Sequence, residues 1–410
     1  MTRSRTLHFD QMFLLAVVAL CSLITLPQLV SVGPISGLGL ATLATFGIAV
    51  ALFAMHPTIT RAHACLFPFL LYFLYGSATL LYSGVEFPGI QYFLVNLALP
   101  VLALVTSRQV MISPAFGARL WKWMGVGFKL APILYALSVA ATGFEADALF
   151  NARGFALFGV LATAYHLTVW RGGDRRGLIW ALITIAVIFA SMSRTALVVA
   201  VGLIPLSVVI RGSLKSILQT LMMTALAGAA LVVAVLSYKP MYDRFFAYDT
   251  SIQIQGVAIN ASGRMEMWKD LYESWTRSPK GFLFGQGIAS TSPLTNRPGM
   301  YHPHNEYLRW GHDLGLVGLC LYVSGIAWIT MVMVVRARHV APGAPGHLQV
   351  HLCVVLSLVG IMLTAFTDNT LSYMYIMAPL GVMVGCSMAF TMLEQPVGRR
   401  AVVRPRPRGT

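Results

Sequence analysis

Twelve apolar runs divide the chain, at 11–30, 35–55, 63–83, 89–106, 120–142, 154–170, 177–193, 195–210, 214–237, 314–335, 351–368 and 373–393. A helix needs about 20 apolar residues to cross the hydrocarbon core of a bilayer. The pattern therefore predicts an all-α, polytopic membrane helical bundle of about twelve transmembrane helices. Short polar turns join the runs, with one exception, residues 238–313. Inside that long loop Met265, Trp268, Leu271, Tyr272 and Trp275 recur at helical spacing, and Glu266, Asp270 and Glu273 take the opposite face. This predicts an amphipathic helix over 262–277 with aromatic residues suited to the headgroup zone, and a loop lying on the membrane like a lid. Ser278-Pro-Lys-Gly ends that helix, and the Gly-rich turn Leu283-Phe-Gly-Gln-Gly-Ile follows. Residues 1–410 read as a single integral membrane domain, with 396–410, rich in Pro and Arg, as a disordered basic cytoplasmic tail against anionic lipid.

Composition agrees with this reading, since 57% of the residues are hydrophobic and only 10% charged. The formal charge of +15 would suit nucleic acid, but its distribution argues for a membrane. With the N-terminus inside, the predicted cytoplasmic segments hold most of the basic residues, among them Arg61, Arg108, Arg171, Arg176 and Arg338. The short outer loops hold only Arg153 and Arg194. That is the positive-inside bias, so the basic excess encodes orientation, with both termini cytoplasmic, and no nucleic-acid partner is expected. The first run, flanked by Arg3 and Arg5, has no small-residue cleavage site and is expected to be retained. All five cysteines fall in apolar runs without paired spacing and read as small core hydrophobes.

The richest concentration of ionisable groups is Tyr301-His-Pro-His-Asn-Glu-Tyr-Leu-Arg-Trp310 and the following Gly-His-Asp-Leu-Gly, where the long loop re-enters the membrane. Intramembrane or interfacial charge in so apolar a chain points to function. Arginine binds phosphate oxygens in pairs and stays charged. Arg194, on the outer side between two apolar runs, is the first candidate for such a role. Arg264, preceded by Gly at the start of the loop helix, could hold an anion together with backbone amides. Arg153 is a third outer arginine, and each of the three also has the plain reading of a snorkelling or solvated surface charge. His302 and His304 point opposite ways in an extended chain, and with only His312 left on the outer side they do not complete a zinc site. A histidine here suits a general base or hydrogen-bond donor near neutral pH, with a helix-start structural role as the plain alternative. Asn305, Glu306 and Tyr307 add donors and an acceptor, and Glu306, Asp313 and Asp368 are carboxylates placed to partner the arginines. Lys129 and His166, alone within apolar runs, read as structural. No Gly-x-x-x-x-Gly-Lys-Ser/Thr run is present, which excludes a P-loop ATPase.

Three of these stretches resemble one family. His304-Asn305, nine residues, Gly315, two residues, Gly318 resembles the signature of the bacterial O-antigen ligase and polymerase superfamily. Ser193-Arg194-Thr-Ala-Leu197 is similar to its arginine-bearing outer loop, and Ser262-Gly-Arg264 through Trp268 to Gly285-Gln-Gly287 is similar to the start of its large periplasmic loop. The resemblance implies a multi-span glycosyltransferase of the bacterial inner membrane, its active site facing the periplasm, working without metal or nucleotide cofactor. Its donor would be an undecaprenyl-pyrophosphate-linked oligosaccharide. Arg194 and Arg264 would hold the pyrophosphate, and His304 would activate the acceptor or steady the leaving group. Arg153, His302, Asn305, Glu306, Tyr307 and Asp368 are expected to line the substrate site. The acceptor is either another lipid-linked repeat unit (a polymerase of O-antigen or exopolysaccharide) or lipid A–core (a ligase). The full His-Pro-His-Asn-Glu-Tyr-Leu-Arg string and Thr367-Asp-Asn-Thr370 resemble the polymerases more. A secondary transporter, the reading from another class, calls for repeated halves and midplane charges, and neither is seen in the sequence.

Overall fold

The computed structural model describes residues 8–393 except 33–34, 84–86, 145, 147–149, 247–251, 255–256, 260–263, 292–293, 295–302 and 342–344. His302 and the tail 396–410 lie outside the described residues. The helices are α1 Phe9–Ser22, α2 Gly37–Met55, α3 Phe67–Ser83, α4 Phe87–Ile112, α5 Pro114–Thr142, α6 Ala152–Arg171, α7 Arg176–Ala190 and α8 Arg194–Val209. They continue with α9 Leu214–Ser237, α10 Lys239–Phe246, α11 Arg264–Thr276, α12 Pro279–Phe284, α13 Glu306–His339, α14 Pro345–Thr364 and α15 Met374–Leu393. Two small antiparallel hairpins accompany them, β1 Ser31–Val32 with β2 Ile35–Ser36, and β3 Ile252–Ile254 with β4 Val257–Ile259. A helix overlies each of the twelve apolar runs. Among the described residues, eight helical segments are long and apolar enough to cross a membrane, and α1, α7 and α8 are shorter apolar helices. The remaining run, α6, has 20 residues and is buried along most of its length. The chain is an all-α polytopic membrane bundle.

Burial falls off from the centre outward. The most apolar stretch of α15 is 83% buried, whereas that of α9 is only 11% buried and turns its leucines and methionines outward. α15 sits against α4, where Gly381 and Gly385 bring the helix onto the backbone carbonyls of Leu99 and Ala103, so that a Cβ at either glycine would collide with main chain. This small-x-x-x-small spacing is how helices approach closely where water supplies no drive for association. α14 packs on α6, and α6 in turn on α7, α8 and α5.

Because the helices alternate in direction, polar groups segregate to two ends. At one, Arg108 pairs with Asp10 at 3.1 Å and His63 Nε2 lies 2.8 Å from Ser107 Oγ. At the other, the Asn151 amide donates to Thr25 Oγ1 and the hydroxyls of Thr195 and Thr367 meet at 2.5 Å. Arg153, Arg194, Arg264, His304 and Asp368 all belong to this second end.

The long loop differs from the expectation in two ways. It closes at Asn305, because α13 begins at Glu306 rather than near 314, and the side chain of Asn305 caps the helix by accepting from the Leu308 amide at 3.0 Å. The polar residues that disguised this first segment, Arg309, His312 and Asp313, are buried in protein and never meet lipid. The loop helix α11 forms as predicted, but its buried face is Met267, Leu271 and Trp275, packed toward α13. The indoles of Trp268 and Trp275 donate to the carbonyls of Pro303 (2.6 Å) and Phe282 (3.0 Å). The aromatics expected to sit in headgroups thus pin the loop to its own protein, leaving Tyr272 exposed.

A glycine interlock holds the loop to the bundle. α13 is broken at Gly315, whose φ of 65° and ψ of −174° are non-helical. The break frees the carbonyls of His312 and Asp313, which accept from the amides of Gln286 (2.9 Å) and Gly287 (2.8 Å). Gly285, at φ 76°, and Gly315 lie backbone against backbone, and a Cβ on either would strike the other strand's main chain. Positive φ and this contact both demand glycine.

Candidate active site

The turn between α14 and α15 is the hub of the site. It continues an apolar helix with Thr367-Asp-Asn-Thr370, and Thr367, Asp368 and Asn369 are held by residues from several other segments. Arg264, first residue of α11, donates to the Thr367 carbonyl at 2.6 Å, and Thr195 of α8 meets the Thr367 hydroxyl. Asp368 Oδ1 lies 3.6 Å from both Arg153 Nε and His304 Nδ1. Asn369 accepts from the His304 amide at 3.0 Å, and Thr370 bonds Thr364 at 3.0 Å. Lower down, the Glu306 amide donates to Ala365 O at 2.9 Å and Ser372 donates to Glu306 Oε1 at 2.7 Å. Residues widely separated in sequence are thereby brought to one place.

His304 is the centre of this arrangement. Its backbone has φ 52°, a left-handed conformation that few non-glycine residues adopt, though histidine is among the more tolerant. Its imidazole lies between Asp368 and Arg153, whose Nη1 is 3.4 Å from each ring nitrogen. Burial lowers its pKa below the ordinary imidazole value. The Asp368 hydrogen bond opposes this, and the positive charges of Arg153 and Arg264 push it further down. The ring is consequently neutral at pH 7 and able to accept a proton.

Behind this layer runs a buried ionic chain. Arg309 reaches Glu306 at 3.4 Å, Asp313 at 3.8 Å and the Ser372 hydroxyl at 2.7 Å, and its guanidinium stacks over the ring of Tyr92 at 4.1 Å. Asp313 also accepts from Ser290 Oγ (3.0 Å) and the Thr291 amide (2.8 Å), and His312 lies 3.0 Å from the hydroxyls of both Ser274 and Ser290. This chain ties the loop, α13 and the hub together.

The site residues expected from sequence divide accordingly. His304, Arg153, Arg264 and Asp368 converge. Arg194 heads α8 beside Thr195, with its guanidinium 5.7 Å from the ring centre of Phe245. Asn305 is a helix cap and Glu306 a buried partner of Arg309. Tyr307 turns away from the hub, stacking on Phe366 at 4.2 Å and donating to Met362 O. Lys129 lies over Trp180, and His166 Nε2 lies 3.4 Å from Phe128 O, as suits structural groups. Sequence reasoning gave no site role to Thr195, Thr367, Asn369 or Ser372, although it singled out the stretch Thr367-Asp-Asn-Thr370 as a motif. The signal for two of them, Thr367 and Asn369, was present, as the uninterrupted polar run 367–370 closing a span. Among the described residues, no three His, Cys, Asp or Glu side chains gather as a metal-ligand set.

Residues 179–323 match the model of the family described as O-Antigen ligase. The matched stretch begins in α7 and ends in α13, so it includes Arg194, Arg264, His304 and the Gly285–Gly315 interlock, while Arg153 and the hub lie outside it. The match supports the O-antigen ligase/polymerase superfamily and, with it, a membrane-embedded, glycosyltransferase-like enzyme of O-antigen ligase/polymerase type. No curated protein matches the chain.

Proposed function

We propose that this protein transfers a glycan from an undecaprenyl-pyrophosphate-linked donor to an acceptor hydroxyl, on the periplasmic face of a bacterial inner membrane, as a polymerase of O-antigen or exopolysaccharide repeat units. The observation that carries the reading is the convergence of one imidazole, one carboxylate and two arginines at a single end of the bundle. Arg264 and Arg153, with Arg194 beside them, hold the pyrophosphate. The acceptor oxygen attacks the anomeric carbon, its proton passes to His304, and the bond from that carbon to the phosphate oxygen breaks. The pyrophosphate leaves with the electron pair, its charge spread over the arginines. Such preorganised stabilisation is the larger contribution, and losing one donor of this kind typically costs about 10²–10³ in rate.

An apolar groove of about 450 Å³ supports a lipid-linked donor. It opens laterally between α13 and α14, is lined by Ile326, Met331, Leu358 and Met362, and ends at Tyr307 and Phe366, next to the Thr367 carbonyl that Arg264 grips. An isoprenoid chain lying there brings its headgroup to the arginines.

His304→Gln tests the base role, since glutamine donates hydrogen bonds but takes up no proton at neutral pH. Purified variant and lipid-linked donor should give donor binding without turnover. Substantial turnover would remove His304 as the base. The match to the family described as O-Antigen ligase favours a second acceptor, lipid A–core. Single-repeat lipopolysaccharide in a deletion strain supports the O-antigen polymerase, and loss of secreted polymer with intact lipopolysaccharide supports the exopolysaccharide polymerase. Bare core with accumulated lipid-linked polymer supports the ligase.

A further inference from the structure

Asp368 and Asn369 are consecutive, and they hold opposite ends of the same residue. Asp368 meets the His304 imidazole, while Asn369 Oδ1 accepts the His304 backbone amide at 3.0 Å. Asn369 is itself buried, at 2% exposed, with its backbone amide donating to Asp368 Oδ1 at 3.0 Å and its backbone carbonyl accepting from Ser372 N at 3.1 Å. The amide it grips belongs to a residue at φ 52°. A left-handed conformation at a non-glycine residue persists only where the surroundings over-determine it, and such residues gather at functional sites. On the next residue, Asn305 caps α13 and so fixes the chain on the other side.

From this geometry we infer that Asn369 is the positioning residue of the transfer reaction, acting through its side-chain carbonyl to keep the His304 backbone left-handed and hence the imidazole on Asp368. The inference rests on the reading of His304 as the proton acceptor. Without the Asn369 acceptor, the His304 amide loses its partner and the backbone relaxes toward negative φ. The ring then leaves the carboxylate, although the arginines still hold the donor.

The test is a double-mutant cycle on the purified full chain, with an undecaprenyl-pyrophosphate-linked repeat unit as substrate and kcat and KM read separately. Asn369→Ala and Asn369→Leu should each lower kcat by about 10²-fold, the scale of a misplaced catalytic group, with KM for the donor nearly unchanged. Asn369→Asp keeps the acceptor oxygen and should restore kcat to within about 10-fold of the parent, while its added charge beside the pyrophosphate raises KM. Adding Asn369→Ala to His304→Ala should cost nothing further, because both remove the same step. Asn369→Asp as inactive as Asn369→Ala, with an intact folded peak on size exclusion, overturns the proposal. So does a further loss in the double variant. Full activity of His304→Ala alone would instead defeat the proton-acceptor reading and leave no His304-dependent step for Asn369 to support.

Discussion

Gly315→Ala is the sharpest probe of how the long loop is fastened. The residue occupies φ 65°, ψ −174°, a region essentially reserved for glycine, where a side chain costs on the order of 1–3 kcal/mol. The added Cβ also meets the Leu283 carbonyl and the Gly285 amide, which are main chain and cannot rotate aside. Relief requires the Gly285–Gly287 turn to lift from the helix break. That breaks the bonds from Gln286 N to His312 O and from Gly287 N to Asp313 O, each contributing about 1 kcal/mol net. The total is about 3–5 kcal/mol, a large share of the roughly 5–15 kcal/mol that holds a typical domain folded. Thermal unfolding in detergent should show the loss, and trypsin should cut faster at exposed Arg277 and Lys280, which follow α11. Gly202→Ala is the control. That glycine lies inside α8 with open space around it, so alanine there is neutral or stabilising by up to about 1 kcal/mol. A Gly315→Ala protein that melts with the parent and keeps its loop protected would refute the interlock.

Three further outcomes are expected. The kcat/KM of transfer, which reports the free enzyme, should fall with a unit slope as pH drops through an apparent pKa below the ordinary imidazole value of about 6.5, and be flat above it, because the neutral ring is the active form. Asp368→Asn, removing the group that raises that pKa, should move the break to still lower pH, and a break above pH 7 would refute the assignment. Arg309→Leu should destabilise the fold by about 3–5 kcal/mol, since it leaves Glu306 and Asp313 buried without their cation; an unchanged melting temperature would show the chain to be dispensable. Cysteine labelling in intact spheroplasts should reach Lys280→Cys and spare Arg176→Cys and Arg338→Cys, and the opposite pattern would invert the topology.

Much of this architecture was legible because a bilayer enforces a simple code. A helix overlies every apolar run. The code failed where a residue meets neither lipid nor water. Arg309, His312 and Asp313 read as loop because their charges seemed to forbid a span, yet each has its partners inside the protein. Trp268 and Trp275 read as headgroup anchors because amphipathicity cannot distinguish a lipid neighbour from a protein one. The candidate site was half legible for a similar reason. Residue type, place at the outer ends of the apolar runs and the family resemblance together singled out His304, Arg153, Arg264 and Asp368. Thr195 and Ser372 act through hydrogen bonds across more than sixty positions of sequence, which no local pattern announces, and Asn369 showed only as one member of a polar run.

The burial gradient of the bundle also sets a schedule for its synthesis. α15 is the last described helix to leave the ribosome and the one most enclosed by the others. Until it arrives, α4 has no glycine-lined partner, and the turn that grips Arg153, Thr195, Arg264 and His304 does not yet exist. A nascent chain already holding Arg153, Arg194, Arg264 and His304 therefore still lacks the turn that gathers them. The contacts that bring Arg153, Arg264, Thr195 and His304 together are thus completed in one event, when the final hairpin docks against the helices made before it.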